Sequence, residues 1–240
     1  MIDNSTKDKL ENATPHFGNT LLGAVPSVVY NEDCVEGMKR FSDNHFDLAI
    51  VDPRYGIDIN NQSQGKGGGV ARKIDYTKKD WDKTAPEIIY FNELRRVSKN
   101  QIIWGANHFI SRLPIDSSCW VVWDKDNGET DFADCELAWT SFKTAVRRFK
   151  WTWAGMRQQN MKNKEERIHP TQKPIALYKW LLMNYASEGN LILDTHLGSG
   201  SSRIAAYDLG YDFIGFEIDP EYYEKQEKRF KNFSAQQRLF

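Results

Sequence analysis

LILDTHLGSGSSRIAAYDLGYDFIGFEID, from Leu191 to Asp219, carries the pattern that specifies the fold of this 240-residue chain. The run LILD is apolar and ends in an acid, which is typical of a buried strand. A glycine turn follows it, and then the helical pattern SSRIAAYDLG and a second strand pattern, YDFIGFEID. The stretch therefore predicts a strand–turn–helix–strand unit, from which parallel sheets covered by helices are built.

The turn of this unit predicts a ligand site. Gly198 and Gly200 lie after the strand and before the helix, so a ligand can approach the backbone closely and place an anionic group at the helix N-terminus. Glu217 ends the next strand, where an acid can accept hydrogen bonds from ribose hydroxyls. A dinucleotide would need a third glycine where Arg203 stands, whereas S-adenosylmethionine carries no pyrophosphate. We therefore favour S-adenosylmethionine over a dinucleotide.

Strand and helix patterns alternate along the rest of the chain. Strands are predicted in SVVY, FDLAIVDP, NQIIWGANHF, CWVVWDK and CELAWTSF, and helices in CVEGMKRF, APEIIYFNELRRV, PIALYKWLLMNYA and PEYYEKQEKRFKNF. The alternation predicts an α/β fold whose mostly parallel sheet is covered on both faces. We assign residues 27–240 to this single domain and residues 1–26 to a polar N-terminal arm.

Two segments interrupt the alternation. Residues 60–86 contain GKGGG and no clear strand or helix pattern, and because long irregular segments in compact domains are commonly functional, we predict a mobile loop that acts as a lid. Residues 143–168 are rich in lysine and arginine and form a short basic insertion. Its cations can contact the phosphates of a polyanion, although the simpler alternative is a solvated basic face.

Composition indicates an ordinary globular protein. Hydrophobic residues make up 40% of the chain and charged residues 27%, and the net charge of −1 gives no overall basicity that would point to nucleic acid. Cys34, Cys119 and Cys135 have no metal-like spacing and indicate a reducing compartment. The polar N-terminus lacks the apolar core of a secretion signal, and no apolar run approaches the length of a membrane span. We expect a cytoplasmic protein without a membrane segment or a metal site.

A second motif lies in AIVDPRYGIDI, from Ala49 to Ile59. A strand-like apolar run ends there in an acid, a proline, a cation and an aromatic ring. These residues place a carboxylate, a rigid backbone carbonyl and a flat ring within one turn of each other. The simpler alternative is that Asp52 caps a turn and that Tyr55 packs at the rim of the domain.

With DPRY and LGSGSS both placed, the chain resembles the amino-methyltransferases that modify DNA bases, and most closely their β class. In that class the catalytic D-P-P-Y motif precedes the cofactor turn. The resemblance spans about Val28 to Phe230 and includes RVSKNQIIWGANHF, WVVWDK, CELAWTSF and HPTQKP in the family's order. It implies a Rossmann-like, S-adenosylmethionine-dependent methyltransferase fold with a circularly permuted order of motifs.

The resemblance also assigns roles to matching residues. Asp52, Pro53 and Tyr55 match the catalytic motif, and Glu217 matches the acid that binds the donor's ribose. The adjoining Ile218 is a further implied contact with the cofactor. Three other segments match parts of the family's cofactor site. Asp33 and Cys34 match the contact with the donor's adenine, HPTQKP matches the segment beside the donor's methionine part, and the glycine turn matches the donor-binding loop. The cofactor contacts implied by these segments are Asp33, Cys34, Gln172, Lys173, Pro174, Asp194, His196, Gly198, Ser199, Gly200, Ser201 and Ser202.

The catalytic motif suits transfer to an exocyclic amino group, which is a poor nucleophile because its lone pair is delocalised into the ring. Two acceptors for its N–H bonds favour the pyramidal, attacking form. Asp52 and the carbonyl of Pro53 can be those acceptors, and proline fixes φ so that the carbonyl is already aimed. Tyr55 can stack on a base that has been taken out of the duplex.

The sequence departs from the family's pattern in both motifs. Arg54 stands in place of the second proline of D-P-P-Y, and Thr195 and His196 replace the usual proline and phenylalanine of the cofactor turn. For Arg54 we predict a contact with a phosphate or with the orphaned partner base. The other predicted contacts with double-stranded DNA are Arg147, Arg148, Lys150 and Arg157.

The sequence thus predicts a site-specific DNA methyltransferase that transfers a methyl group from S-adenosylmethionine to N6 of a flipped-out adenine. Aspartate rather than serine at the first motif position favours adenine within this family. The alternatives are cytosine N4, an RNA base or a protein glutamine amide on the same fold, and, from another class, a non-catalytic nucleic-acid-binding subunit. A homodimer and a role in restriction–modification or in a phage or mobile element are compatible with the sequence.

Overall fold

The structure, a computed structural model, describes residues 26–58, 82–113, 116–128, 133–154 and 157–237. The predicted arm at 1–26, apart from Pro26, and the predicted lid at 60–86, apart from residues 82–86, lie outside these ranges. None of the described helices is both long and apolar enough to cross a membrane.

An eight-stranded sheet with the order β1-β10-β9-β2-β3-β5-β4-β6 forms the centre of the domain. Neighbouring strands are parallel except where β5 pairs with β3 and with β4. This arrangement confirms the predicted α/β fold with a mostly parallel sheet. The strands are β1 (Ser27–Tyr30), β2 (Phe46–Val51), β3 (Ser98–Trp104), β4 (Trp120–Asp124), β5 (Cys135–Thr140), β6 (Arg147–Lys150), β9 (Leu191–Asp194) and β10 (Asp212–Phe216).

Helices cover both faces of the sheet, as the sequence predicted. The helices are α1 (Cys34–Met38), α2 (Ile88–Val97), α3 (Ile175–Tyr185), α4 (Ser201–Asp208) and α5 (Pro220–Gln237). Side chains alternate along β2, so Leu48 and Ile50 join the core under α3 and α4, while Ala49 and Val51 join the core under α1 and α2. Because β2 is buried on both faces, it reads as a continuous apolar run in the sequence.

The chain turns in opposite directions after two adjacent strands. It leaves β2 through α2 towards β3, and it leaves β9 through α4 towards β10, although β2 and β9 are parallel neighbours. Such a point is a topological switch, where a crevice opens at the carboxyl ends of the strands and where ligands bind in α/β proteins. The two motifs found in the sequence follow β2 and β9, so both lie at this crevice.

The predicted basic insertion at 143–168 starts inside the sheet. Arg147–Lys150 form β6, the edge strand, which runs parallel to β4. The chain then forms a short antiparallel hairpin of β7 (Trp153–Ala154) and β8 (Arg157–Gln158) before it returns to α3.

Candidate active site

Three carboxylates lie at the same edge of the sheet because they end adjacent parallel strands. Asp52 directly follows β2, Asp194 ends β9, and Glu217 directly follows β10. Asp194 and Glu217 are buried and the Asp52 side chain is only 14% exposed. Burial raises the pKa of Asp194 to about 7. The edge therefore concentrates acidic groups in a place that is largely closed to water.

The Asp52–Tyr55 motif is held in a chain of alternating charges. Asp52 Oδ2 lies 2.5 Å from Lys173 Nζ, and Lys173 Nζ lies 2.9 Å from Glu136 Oε2. Glu136 Oε1 in turn lies 2.6 Å from Lys125 Nζ. The hydroxyl of Tyr55 donates to Asp52 Oδ1 at 2.7 Å and accepts from Lys173 Nζ at 3.2 Å. We call Asp52, Lys173, Glu136 and Lys125 the buried charge chain.

The charges of this chain compensate one another. Burial opposes ionisation of Glu136, but its two lysine partners outweigh that effect and lower the pKa of Glu136 to about 2. Burial likewise opposes the charge of Lys173, yet Asp52 and Glu136 together raise the pKa of Lys173 above its ordinary value. For Asp52, burial raises the pKa, Lys173 opposes that rise and Glu136 adds to it. Asp52 is therefore the more basic of the two carboxylates.

Tyr55 is fixed from two sides. Its ring stacks on that of His108, with centroids 4.9 Å apart and planes inclined by 15°. Its backbone N–H and that of Gly56 both donate to Asp82 Oδ1, at 2.8 Å and 3.0 Å. Gly105 has a φ of +67°, and a Cβ placed on it would lie 2.0 Å from the Tyr55 ring. The ring position thus depends on glycine at 105.

The glycine turn is clamped by the acids that flank it. Gly198 N donates to Glu217 Oε2 at 2.8 Å, and Asp219 N donates to Glu217 Oε1 at 2.9 Å. Asp194 accepts from the backbone N–H of His196 at 3.0 Å and from the Ser202 hydroxyl at 2.5 Å. These bonds fix both carboxylates while their remaining lone pairs can still accept a hydrogen bond.

The conformation of the turn depends on its two glycines. Gly198 and Gly200 have φ values of +52° and +73°, a backbone conformation that glycine adopts without strain. Gly200 is the N-cap of α4 and gives that helix no side-chain cap. The hydroxyls of Ser199 and Ser201 lie 3.1 Å apart in the same turn. The N-terminus of α4 has no side-chain cap and favours negative charge, so the terminal carboxylate of a nucleoside-type donor suits this turn.

The departures from the family's turn pack against α2. Thr195 Oγ1 lies 2.7 Å from the hydroxyl of Tyr90 and 3.0 Å from His196 Nδ1. The His196 ring meets the Tyr90 ring edge to face, with centroids 5.1 Å apart. Burial, with a further contribution from Arg54, lowers the pKa of His196 to about 3, so this imidazole is neutral at physiological pH.

The HPTQKP segment lies over the glycine turn. The His169 ring packs on Tyr222, with centroids 4.3 Å apart, and a Cβ on Gly198 would contact that same imidazole at 3.5 Å. The Gln172 amide binds the backbone just before the segment, accepting from Ile168 N and donating to the carbonyl of Glu166. Pro174 is the N-cap of α3, and Lys173 reaches Asp52.

The remaining cofactor candidates border the turn beside β10. Asp33 caps α1, accepting from Val35 N at 2.9 Å and Glu36 N at 3.0 Å. Burial, followed by the charge of Asp33, raises the pKa of the Cys34 thiol to about 12, so the thiol stays protonated. Ile218 is 62% exposed beside the buried Glu217.

The structure does not gather all of the basic candidates at Asp52. Arg54 is exposed, and within the described ranges its guanidinium has no hydrogen bond or ion pair; its charge acts on Cys34 and His196. The other candidates lie on β6 and β8, and β6 is roughly 19 Å from β2 at the usual strand spacing. Arg147, Arg148 and Arg157 are exposed, while Lys150 Nζ lies 2.8 Å from Asp126 Oδ1.

Several residues of the site escaped the sequence analysis. Glu136 interrupts the apolar strand CELAWT, and Lys125 directly follows the strand WVVWD. A charged residue within a buried strand pattern is the signal that could have marked Glu136, because such residues need a partner. Asp82, His108 and Tyr90 carry no comparable signal, since their roles depend on contacts with distant residues.

A family model described as a DNA methylase, of the N6/N4 type, matches residues 89–228, more than half of the chain. The type II methyltransferase M2.MboI of Moraxella bovis is 24% identical over 242 residues, which cover 84% of this chain and 86% of the relative. The structure of a complex of M1.HpyAVI with SAM has a TM-score of 0.55 and 20% identity, covering 84% of this chain and 97% of that chain. The PvuII DNA methyltransferase, which is cytosine-N4-specific, has a TM-score of 0.54 and 12% identity, covering 89% of this chain and 95% of that chain.

Proposed function

This chain belongs to the N6/N4 DNA methylase family, and we propose that it transfers a methyl group from S-adenosylmethionine to N6 of adenine in double-stranded DNA. One observation carries the proposal. The Asp52–Tyr55 motif and the glycine turn between Asp194 and Glu217 follow neighbouring parallel strands and open onto one crevice. An acceptor and a donor bound at the two motifs would therefore meet.

The donor half would hold the cofactor with residues of the turn and of the two strands beside it. S-adenosylmethionine, when bound, supplies an electrophilic methyl group. Glu217, oriented by two backbone amides, accepts hydrogen bonds from the ribose hydroxyls. The exposed side chain of Ile218 offers an apolar contact for the adenine ring. Asp33 and Cys34, at the start of α1, would hold the adenine together with Ile218.

The acceptor half activates the amino group of the target base. Asp52 Oδ1 and the carbonyl of Pro53 accept hydrogen bonds from the two N–H groups of the amino group. These bonds stabilise the positive charge that develops on nitrogen. Tyr55, whose ring is backed by His108, stacks on the flipped base. After transfer Asp52 takes up the proton that the amino group loses, a role that suits a carboxylate whose pKa burial has raised.

Arginine and lysine side chains outside the crevice hold the DNA. Arg147, Arg148 and Arg157 are exposed and contact phosphates, as does Lys150 once it leaves Asp126. Arg54 contacts the backbone or the orphaned base beside the flipped nucleotide. A type II methyltransferase among the relatives supports a place in restriction–modification, and a DNA substrate agrees with a cytoplasmic enzyme.

Cytosine N4 is the second candidate acceptor. The likeness to a cytosine-N4-specific enzyme of the same fold favours it. Aspartate at position 52, which the resemblance links to adenine, favours N6, and we therefore propose adenine.

The test is methyl transfer from labelled S-adenosylmethionine to unmethylated genomic DNA, with RNA and protein as parallel acceptors. Digestion to nucleosides and mass spectrometry should identify N6-methyladenine. An Asp52→Ala variant should lose transfer while its donor affinity, measured by calorimetry, stays within a few fold. N4-methylcytosine as the product would select the second candidate, and label only in RNA or protein would contradict a DNA substrate.

A further inference from the structure

The buried charge chain contains more ionic groups than the transfer step described above requires. That step uses Asp52, yet Lys173 is only 3% exposed and is held between Asp52 and Glu136, and Glu136 is in turn paired with Lys125. Lys173 is buried and the other three charged side chains are largely buried, and removing charges from water costs free energy that pairing often does not repay. An apolar set of residues would fill the same space, so the arrangement calls for a chemical explanation.

We propose that Lys173 and Glu136 are positioning residues for methyl transfer: Lys173 orients Asp52 and keeps it ionised, and Glu136 shares Lys173 so that Asp52 remains basic enough to accept a proton. This inference rests on the proposed function. It assigns Lys173 to the acceptor half of the site, whereas the family resemblance places its segment beside the donor.

The geometry gives Lys173 a fixed position. Lys173 Nζ donates hydrogen bonds to Asp52 at 2.5 Å and to the Tyr55 hydroxyl at 3.2 Å, and it forms an ion pair with Glu136 at 2.9 Å. The ammonium therefore cannot move away without losing a hydrogen bond or the ion pair. Lys173 binds Oδ2 of Asp52, and the weaker partner, the Tyr55 hydroxyl, binds Oδ1. A target amino group can replace Tyr55 at Oδ1 while Lys173 keeps hold of Oδ2.

Glu136 sets the strength of the ion pair between Lys173 and Asp52. In a pair with Lys173 alone, Asp52 would be a weak base, because a nearby cation stabilises the carboxylate. Glu136 draws on the same ammonium from β5 and also repels charge on Asp52, and both effects restore basicity. Lys125 compensates Glu136 from the far side, so Glu136 stays ionised.

Other titratable groups also face Asp52. Tyr55 on its own loop, Tyr90 on α2 and Tyr178 on α3 all have pKa values raised by burial, so these phenols are neutral. Asp194 on β9 is the remaining acid. Because none of these groups supplies positive charge, removal of Lys173 or Glu136 should shift the titration of Asp52 in a direction that can be stated in advance.

Glu136→Gln and Lys173→Met should shift the pKa of Asp52 in opposite directions. Glu136→Gln leaves Lys173 to Asp52 alone, so the pKa of Asp52 should fall and the acidic limb of the rate profile should move to lower pH. Lys173→Met removes the cation, so the pKa of Asp52 should rise and the limb should move to higher pH. Each shift should be about one pH unit or more, the size expected for one charge at this distance.

The experiment measures single-turnover methylation of genomic DNA from pH 5 to 9 at saturating donor for the parent, Glu136→Gln and Lys173→Met. Glu136→Gln should also lower the plateau rate by about tenfold, because a weaker base accepts the amino protons less well. Glu224→Gln is the matched control, since Glu224 is exposed on α5. Donor affinity by calorimetry should be within a few fold of the parent in all variants.

A second measurement needs neither donor nor DNA. The ¹³C resonance of the Asp52 carboxyl group, followed by NMR in protein labelled at aspartate, should show the same two opposite shifts. The inference would be overturned if the variants lost rate while neither the acidic limb of the pH–rate profile nor the titration of the Asp52 resonance moved. Lys173 and Glu136 would then have only a structural role. A parent enzyme that methylates no DNA at any pH would instead overturn the proposed function, while the NMR titration still tests the charge chain.

Discussion

Gly105 directly follows β3, and the Tyr55 ring occupies the space where a side chain would stand. The glycine permits two things at once, a left-handed backbone and the close approach of an aromatic ring that stacks on His108. A substitution there should therefore affect the acceptor half of the site before it affects the donor half.

We expect Gly105→Ala to destabilise the fold by about 2–5 kcal/mol, from the backbone strain and from the overlap with the ring. It should also displace Tyr55 and reduce methylation. Gly189→Ala is the matched control, because Gly189 has a φ of +78° but no atom lies within 4 Å of its added Cβ. Thermal unfolding and methylation assays check this, and equal losses of stability in the two variants would contradict a specific role for the ring contact.

Glu217 accepts hydrogen bonds from the protein backbone in addition to those proposed from the ribose of the donor. Its two oxygens accept the amides of Gly198 and Asp219, and Asn31 Nδ2 donates to its carbonyl at 2.7 Å. The carboxylate therefore shapes the turn before any donor binds.

We expect Glu217→Ala to weaken S-adenosylmethionine binding by about 1–3 kcal/mol, because buried hydrogen-bonding groups lose their partner. The variant should also unfold at lower temperature, since the Gly198 and Asp219 amides lose their hydrogen bonds to the Glu217 carboxylate. Calorimetric titration and thermal unfolding measure the two effects, with Glu224→Ala on α5 as the control. Unchanged donor affinity would remove Glu217 from the cofactor site.

At the scale of secondary-structure elements, one ion pair joins the start of α3, the middle of α5 and the glycine turn. Glu165 Oε1 accepts from Ile175 N at the start of α3, and Glu165 Oε2 lies 2.9 Å from Arg229 of α5. Arg229 also donates to the carbonyl of Ser199 at 2.8 Å and to the Ser201 hydroxyl at 3.0 Å. Glu165, which the sequence shows only as an acid within a basic stretch, thus supports the glycine turn through Arg229.

We expect Glu165→Ala to cost about 2–4 kcal/mol of stability, because it leaves the largely buried Arg229 guanidinium without its carboxylate and the α3 N-terminus without an acceptor. Donor affinity should fall as the Ser199–Ser201 turn loosens. Chemical denaturation and calorimetry measure both quantities, and Glu166→Ala, at the exposed neighbouring position, is the control. Wild-type donor affinity in Glu165→Ala would show that the turn does not depend on this ion pair.

At the scale of the whole molecule, charge is distributed unevenly although the net charge is −1. The crevice at β2, β9 and β10 is acidic, whereas β6 at the sheet edge carries Arg147, Arg148 and Lys150. A duplex that reached both places would bring its phosphates to the edge strand and one base to the crevice.

We expect DNA affinity to fall steeply with salt, and Arg147→Ala to reduce the slope of log affinity against log salt by about one. Arg147 is exposed, and among the described residues no carboxylate is paired with it that would compete with a phosphate. Lys150→Ala should change the slope less, because Lys150 is already paired with Asp126 at 2.8 Å. Titrations at several salt concentrations check this, and an unchanged slope for Arg147→Ala would make β6 a solvated basic face.

The strand–turn–helix–strand unit at 191–219, the acids at the strand ends and the family were all predictable from the sequence, and the fold and the family are confirmed. Strand and helix periodicities are local properties, and an acid that ends a parallel strand must lie at the edge shared by its neighbours. The individual site residues follow from matched motifs, and their roles stay predictions.

The buried charge chain could not be predicted in the same way. Asp52 and Lys173 are 121 residues apart in the sequence, and Glu136 reaches them only because β5 runs antiparallel beside β3 in the finished sheet. No periodicity encodes such a meeting, because it depends on strand order rather than on neighbouring residues. The sequence therefore predicts which carboxylate accepts the amino protons, and only the packing of the sheet brings Lys173 and Glu136 to that carboxylate.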